Sequence, residues 1–343
     1  MIKSSTIKSI AFIGNSEVSA SLVDRLHEAG FTVNGLSLST SGKKTRKKDI
    51  NKTISEADVI VTMLASPQEV EECYFSSDGI LANIKPQSYC IDLSRNTPRN
   101  ARELHALASV HDCFFVEAAP VASQDGMQLI VGGETPIVKH VRPILDALSP
   151  EILLVGLPGT AASAKIALTI SKASALMGLV ETLVFAYANH VDKKSIPAFM
   201  ALDPSTTPEM KEMAQSIMEE QYDEGEPLAI FFHDLSLALD AADDIDLALP
   251  VLETAHQLYD LLMMIGGSKK AIQALMLVYR NEEYCVEQGL DWGLAQRAMD
   301  IYDQAAAFSQ NDYECDCDDP DCGHEQYRGD DDYPRMDDFF SSN

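Results

Sequence analysis

Along the first half of the chain, short β-rich apolar runs alternate with amphipathic stretches, the pattern of βαβ units around a mostly parallel sheet. Ile7 to Ile13, Thr32 to Leu38, Val59 to Leu64, Tyr89 to Leu93 and Cys113 to Ala118 read as successive strands. Between them Val18 to Ala29, Gln68 to Tyr74 and Pro98 to Ala108 carry helical spacing, and Gly30, Gly79, Pro86 and Pro98 fall at turns or helix ends. Two further strands, Gln128 to Val131 and Ile152 to Val155, flank a helix from Thr135 to Leu148. After Gly159 the strand signal stops. Ala161 to His190 is one long apolar-periodic helix, and prolines then divide the chain into helices near Ile196 to Ala201, Pro208 to Glu220, Pro227 to Asp243, Pro250 to Ile265, Lys270 to Tyr279 and Leu294 to Phe308.

This pattern predicts an α/β Rossmann-type doubly wound sheet over residues 1–158, followed by an all-α domain over 159–310. At 343 residues and 46% hydrophobic content, the chain is long enough for two cores. Residues 311–343 hold twelve acidic and two basic residues, so this tail carries −10 of the formal −27 and the remainder −17. Its composition predicts an acidic, disordered extension. A balance this acidic argues against a nucleic-acid backbone as partner, because phosphate contacts need clustered Lys and Arg. The N-terminus lacks signal-peptide character, and no run is taken as a membrane span, so the expectation is a cytoplasmic protein. Cys73, Cys90, Cys113 and Cys285 sit singly in apolar surroundings and read as reduced thiols. In the tail, Cys315, Cys317, Cys322 and His324 form either a tetrahedral zinc set of uncommon spacing or incidental residues of a solvated extension, and no metal is assigned.

The first strand leads into Gly14-Asn15-Ser16-Glu17-Val18-Ser19 and then a helix, the context in which loop N–H groups and a helix N-terminus receive a pyrophosphate. Gly14, Ser16 and Ser19 occupy the three glycine positions of G-x-G-x-x-G, so only the first glycine is kept and the serines add side-chain bulk. An ordinary strand-turn-helix stays open beside the dinucleotide loop. After the second strand no acid stands ready for a ribose. Ser39, Thr40, Lys43 and the basic residues up to Lys48 follow, either an NADP 2′-phosphate site or a solvated basic loop.

Four stretches then resemble the 3-hydroxyisobutyrate dehydrogenase family of β-hydroxyacid dehydrogenases, whose cofactor domain is shared with 6-phosphogluconate dehydrogenase. They are Ala57 to Pro67; Ile91-Asp92-Leu93-Ser94 with Pro98; Phe114 to Val121 with Leu129 to Gly133; and Val155 to Lys165 together with His233 to Leu239. The resemblance spans about residues 7 to 308 in the family's order. It implies an oxidoreductase moving hydride between NADP(H), with NAD possible, and a small hydroxyl or carbonyl compound, working as a homodimer. It places the catalytic role on Lys165, where a lysine desolvated between domains can serve as acid or base; a lysine snorkelling from an apolar helix is the plainer reading. The implied cofactor contacts are Gly14, Asn15, Ser16, Glu17, Val18, Ser39, Thr40, Lys43, Leu64, Ala65, Ser66, Ser94 and His233. The implied substrate contacts are Pro120, Val121, Ala122, Ser123 and Thr169.

Several positions depart from the family's pattern. Thr169 stands where an Asn is usual, His233 replaces a cofactor-contacting lysine, and Arg95 follows Ser94 where a small hydroxyl residue is expected. D-A-P-V-S-G-G becomes Ala118-Ala119-Pro120-Val121-Ala122-Ser123-Gln124, without the glycine pair that admits a substrate carboxylate. The alternative these changes support is a catalytically silent dehydrogenase-like binding or regulatory protein.

Overall fold

Among the described residues seven strands make one sheet: β1 (Ser9–Gly14), β2 (Thr32–Leu36), β3 (Val59–Met63), β4 (Tyr89–Asp92), β5 (Phe114–Ser123), β6 (Gly126–Gly132) and β7 (Ile152–Gly156). The computed structural model describes residues 7–14, 16–36, 47–123 and 126–297. Between the strands lie α1 (Glu17–Glu28), α2 (Lys47–Glu56), α3 (Pro67–Phe75), α4 (Ile80–Asn83), α5 (Pro98–Val110) and α6 (Thr135–Leu148). Strand order is β2-β1-β3-β4-β5-β6-β7, parallel throughout except for the antiparallel β5–β6 hairpin. The chain therefore reverses its direction of travel across the sheet beside β1. The crevice outside the C-terminal ends of β1 and β3 is the topological switch point at which such sheets bind ligands.

Residue alternation along the strands divides the sheet into two apolar faces. Ile10, Phe12, Val59, Val61, Ile91 and Val116 pack with Leu22 and Leu26 of α1 and with Ile137, Val141 and Leu145 of α6. On the other face Ala11, Ile13, Ile60, Cys90 and Phe115 meet Ile50 and Ile54 of α2, Val70 and Tyr74 of α3, and Leu104 of α5. Burying each such aliphatic side chain contributes about 1.5–3 kcal/mol relative to exposure.

From β7 the chain enters α7 (Thr160–Ala188), 29 residues and so roughly 43 Å long. By length and composition alone α7 could cross a membrane. In the fold its buried residues Ala173, Leu176, Val180 and Leu183 form the centre of a helical core. Around it stand α8 (Ile196–Met200), α9 (Pro208–Met218), α10 (Leu228–Asp243), α11 (Pro250–Met264) and α12 (Glu282–Glu287). The described residues up to Ala295 belong to one compact unit.

The element order agrees with the sequence reading, with several differences, the short helix Ile80–Asn83 among them. Lys47–Glu56 is helical although only Ile50 and Ile54 mark its apolar side. The segment expected as a helix over Lys270 to Tyr279 is instead 3-10 over Ile272–Tyr279. Ile272 to Val278 are all buried, so no amphipathic stripe demands a 3.6-residue period. Gln273 Nε2 donates to the carbonyls of Gln221 and Glu224, and Tyr259 Oη donates to Ile272 O, fixing the tighter winding. Glu282–Glu287 forms a further short helix the apolar pattern does not mark. Residues 298–343, with Cys315, Cys317, Cys322 and His324, lie outside the described residues.

Candidate active site

At the switch point, β1 ends on Gly14 and α1 begins at Glu17. Ser16 is the N-cap of α1: its Oγ accepts from Ser19 N at 3.0 Å and lies 2.8 Å from Ser19 Oγ. The two serines at glycine positions thus satisfy each other. Their bulk explains the glycine that remains, because a Cβ on Gly14 would stand 2.5 Å from Ser19 Oγ and 2.9 Å from its Cβ. Ser16, Glu17 and Val18 are exposed, and the N–H groups of Glu17 and Val18 have no partner among the described residues. A pyrophosphate fits such an end, two free amides at a helix N-terminus, with the Glu17 carboxylate in the first turn an unfavourable charge. Asn15, Ser39, Thr40 and Lys43 lie outside the described residues.

The loops after β3 and β4 are tied together. Leu64 N donates to Ser94 Oγ at 2.9 Å, and Arg95 N donates to Leu64 O at 3.0 Å. Ser66 caps α3, accepting from Glu69 N while Ala65 N donates to Glu69 Oε2, a reciprocal capping arrangement. Behind these loops Asp92 is buried, accepting from Thr62 Oγ1, Ser94 N and Asn96 Nδ2 at 2.8–3.1 Å. Thr62 spends its proton on Asp92, so the Tyr74 hydroxyl donates to Thr62 at 2.9 Å. Burial pushes the Asp92 carboxyl above its ordinary value despite those donors.

Asp92 pairs across the sheet with Glu117 of β5. Glu117 is buried beneath the start of α7, where Oε2 accepts from Gly159 N (2.8 Å) and Ala161 N (3.1 Å), and Oε1 from Ala162 N (2.7 Å). Space for it comes from Gly132, the partner on β6, where a Cβ would lie 2.8 Å from Glu117 Oε2. The approach of α7 depends on Gly159. Its φ is +93°, and a Cβ there would stand 2.8 Å from Pro98 O. Burial pushes the Glu117 carboxyl up to about 7, with Asp92 adding to the rise and the three amides opposing it.

One turn beyond Ala162, Lys165 lines a small open cleft with Ser94, Arg95, Asn96, Thr169 and Asp234. Burial lowers the Lys165 ammonium from its usual value, opposed by the Asp234 charge and reinforced by Arg95. Across the cleft Arg95 Nε is 2.7 Å from Asp234 Oδ1 of α10. Thr169 donates to Lys165 O at 3.2 Å from the next turn. The fold therefore brings together Lys165, Ser94 and Thr169. Pro120, Val121 and Ala122 continue β5 into the hairpin and do not line this cleft; Ala119 does. The side chain of Ser123 lies outside the described residues. His233 is half-buried next to Asp234, its Nε2 enclosed without a partner among the described residues, and it is likewise off the cleft lining. Sequence reasoning missed Asp92 and Glu117, whose signal is an acid set inside an otherwise apolar strand.

Two family models match the chain. One, described as the NAD binding domain of 6-phosphogluconate dehydrogenase, covers residues 9–156; the other, described as NAD-binding of NADP-dependent 3-hydroxyisobutyrate dehydrogenase, covers 159–279. A probable 3-hydroxyisobutyrate dehydrogenase-like mitochondrial protein of Arabidopsis thaliana is 27% identical over 282 residues, 78% of this chain and 84% of the relative. The NAD-dependent L-serine dehydrogenase of Pseudomonas aeruginosa is 25% identical over 293 residues, 80% of this chain and 98% of the relative. A solved structure of 3-hydroxyisobutyrate dehydrogenase from Mycobacterium tuberculosis with L-serine shares the fold, with a TM-score of 0.72 at 23% identity over 80% of this chain and 100% of that one. The chain therefore belongs to the 3-hydroxyisobutyrate dehydrogenase family, the NAD(P)-dependent oxidoreductases of β-hydroxyacid dehydrogenase type.

Proposed function

We propose that this enzyme interconverts a small hydroxyl compound and its carbonyl form with NADP(H), using Lys165 as the acid/base group. The observation that carries the reading is Lys165 itself, held in the cleft beside the loop after β4, its charge disfavoured by burial. A nicotinamide dinucleotide, when bound, supplies the hydride acceptor or donor. Gly14 and the free amides of Glu17 and Val18 would hold its pyrophosphate. Leu64, Ala65 and Ser66 would border it, and the basic stretch beginning at Lys43 would favour the 2′-phosphate. In oxidation the neutral Lys165 amine takes the hydroxyl proton, and in reduction its ammonium returns that proton to the carbonyl oxygen. Ser94, which accepts from Leu64 N, ties the two loops together at the cleft, and Thr169 donates to the carbonyl of Lys165 one turn along α7. Both 3-hydroxyisobutyrate and L-serine, named for the relatives, are suitable first substrates.

The same reading takes residues 1–158 as the cofactor domain and 159–310 as the helical domain of a cytoplasmic homodimer. Supporting the dimer are Leu168 and Phe185 of α7, 50% and 72% exposed, with Ala175 and Gly178 exposed between them. Supporting the compartment are four free thiols among the described residues.

The test is a titration with NADPH and NADH followed by Trp292 and nicotinamide fluorescence, with Lys165→Ala alongside. The expected result is tighter binding of NADPH, kept in the variant, with turnover of 3-hydroxyisobutyrate or L-serine lowered about 100- to 10,000-fold. Failure of both cofactors to bind at millimolar concentration would refute the proposal.

A further inference from the structure

Most side-chain hydrogen-bond donors of the cleft are engaged among the described residues. Asn96 gives Nδ2 to Asp92 and its Oδ1 accepts from Thr97 N. The Ser94 hydroxyl is engaged by Leu64 N and Asp92. Thr169 donates to Lys165 O. Glu117 and Asp234 can only accept while ionised, and Glu117 already accepts three amides. On the β5 wall stands Ala119, which has no donor. Apart from Lys165 and the second Nδ2 hydrogen of the buried Asn96, this leaves Arg95, the cationic donor on that wall.

Arg95 is built to face one way. Its backbone is anchored through Leu64 O, and its side chain, 24% exposed, reaches across to Asp234, 14% exposed. Nε is buried and ion-paired with that carboxylate at 2.7 Å, without the alignment of a hydrogen bond. The two Nη nitrogens bond nothing among the described residues and are not among the enclosed, unpartnered atoms, so they keep solvent exposure on a residue that lines the cleft. A guanidinium held at Nε by an acid presents its remaining edge as a two-pronged donor that matches a carboxylate.

We infer that Arg95 is the specificity-determining residue of the cleft: its Nη edge takes the substrate's carboxylate while Asp234 holds its Nε, leaving the hydroxyl carbon beside Lys165. This rests on the oxidoreductase reading above. It joins two departures into one change. The segment Ala118 to Gln124 lacks the small glycine pair, and Arg95 replaces a small hydroxyl residue, so the anion-binding duty moves from one cleft wall to the other. The preferred substrate is a hydroxy acid whose carboxylate is free, and its ester or primary alcohol analogue is a poor one.

The experiment compares wild type, Arg95→Gln and Arg95→Lys as full-length proteins on 3-hydroxyisobutyrate and its methyl ester, with melting temperatures as a folding control. Arg95→Gln is expected to raise KM for the acid about 100-fold while kcat changes less than about threefold, and to abolish the preference for acid over ester. Arg95→Lys keeps the charge but not the fork, and is expected to recover part of that loss. An Arg95→Gln enzyme that folds and keeps both KM and the acid preference overturns the inference, as does an Arg95→Lys enzyme that matches Arg95→Gln. Should wild type reduce neither cofactor, the oxidoreductase reading fails separately, and ligand-detected NMR of the acid against wild type and Arg95→Gln decides the anchor. Acid binding lost in the variant supports Arg95, and equal binding refutes it.

Discussion

Replacing Glu117 by glutamine removes a charge from beneath the first turn of α7 while nearly keeping the side chain's shape. In the folded protein burial pushes this carboxyl from an ordinary 4.5 up to about 7. Between those two values the folded state holds a proton that the unfolded chain has released. Stability from this group is therefore fully present below pH 4.5, declines as pH rises through the window, and levels off above about 7. At about 1.4 kcal/mol per tenfold change in proton affinity, the decline amounts to roughly 3 kcal/mol. The Glu117→Gln variant has no such dependence. Its amide can still accept from two of the three backbone donors, but its NH₂ must face the third, at a cost of about 1–3 kcal/mol. The variant should be less stable than wild type at pH 5 and draw level with it, or pass it, at pH 8. Urea unfolding of both proteins at several pH values, followed by circular dichroism, measures this difference, in which the titrating groups not coupled to Glu117 cancel. Curves that stay parallel from pH 5 to 8 would refute the reasoning, because they would mean that the three amides keep Glu117 ionised throughout.

Two other outcomes follow from the same geometry. Gly14→Ala should destabilise by about 1–3 kcal/mol through collision with Ser19, and Ser19→Gly in the same chain should relieve most of it; additive losses in thermal melts would rule out that contact. The lowered Lys165 ammonium should make kcat/KM for oxidation rise with pH and level off below the 10.5 of a free lysine, with reduction showing the opposite slope. A pH–rate profile without an inflection below 10.5 would argue against Lys165 as the base.

Periodicity and proline placement were sufficient to read the sheet, α7 and most of the helical half, because those elements bury continuous apolar stripes. The α2 helix escaped because two isoleucines among polar residues do not make a visible stripe. Lys165 and Ser94 were legible through a family resemblance, and the cleft brings them together. Ser16 and Ser19 looked like damage to a phosphate loop, yet they bond each other and cap α1. That reciprocity is a three-dimensional fact that a glycine pattern cannot carry. Glu117 and Asp92 were illegible for a related reason: a strand acid is ordinary on a solvated face, and only the arrival of α7 and of the loop after β4 turns these two inward.

The bond between Glu117 and the amides of Gly159, Ala161 and Ala162 couples the evolutionary histories of the two halves. A chimera that kept this sheet and imported another helical half would have to bring donors to a carboxylate it cannot leave bare. The reverse exchange would leave the incoming helix without its anion. Recombination across this junction is therefore productive only when strand acid, facing glycine and helix start travel as one heritable block.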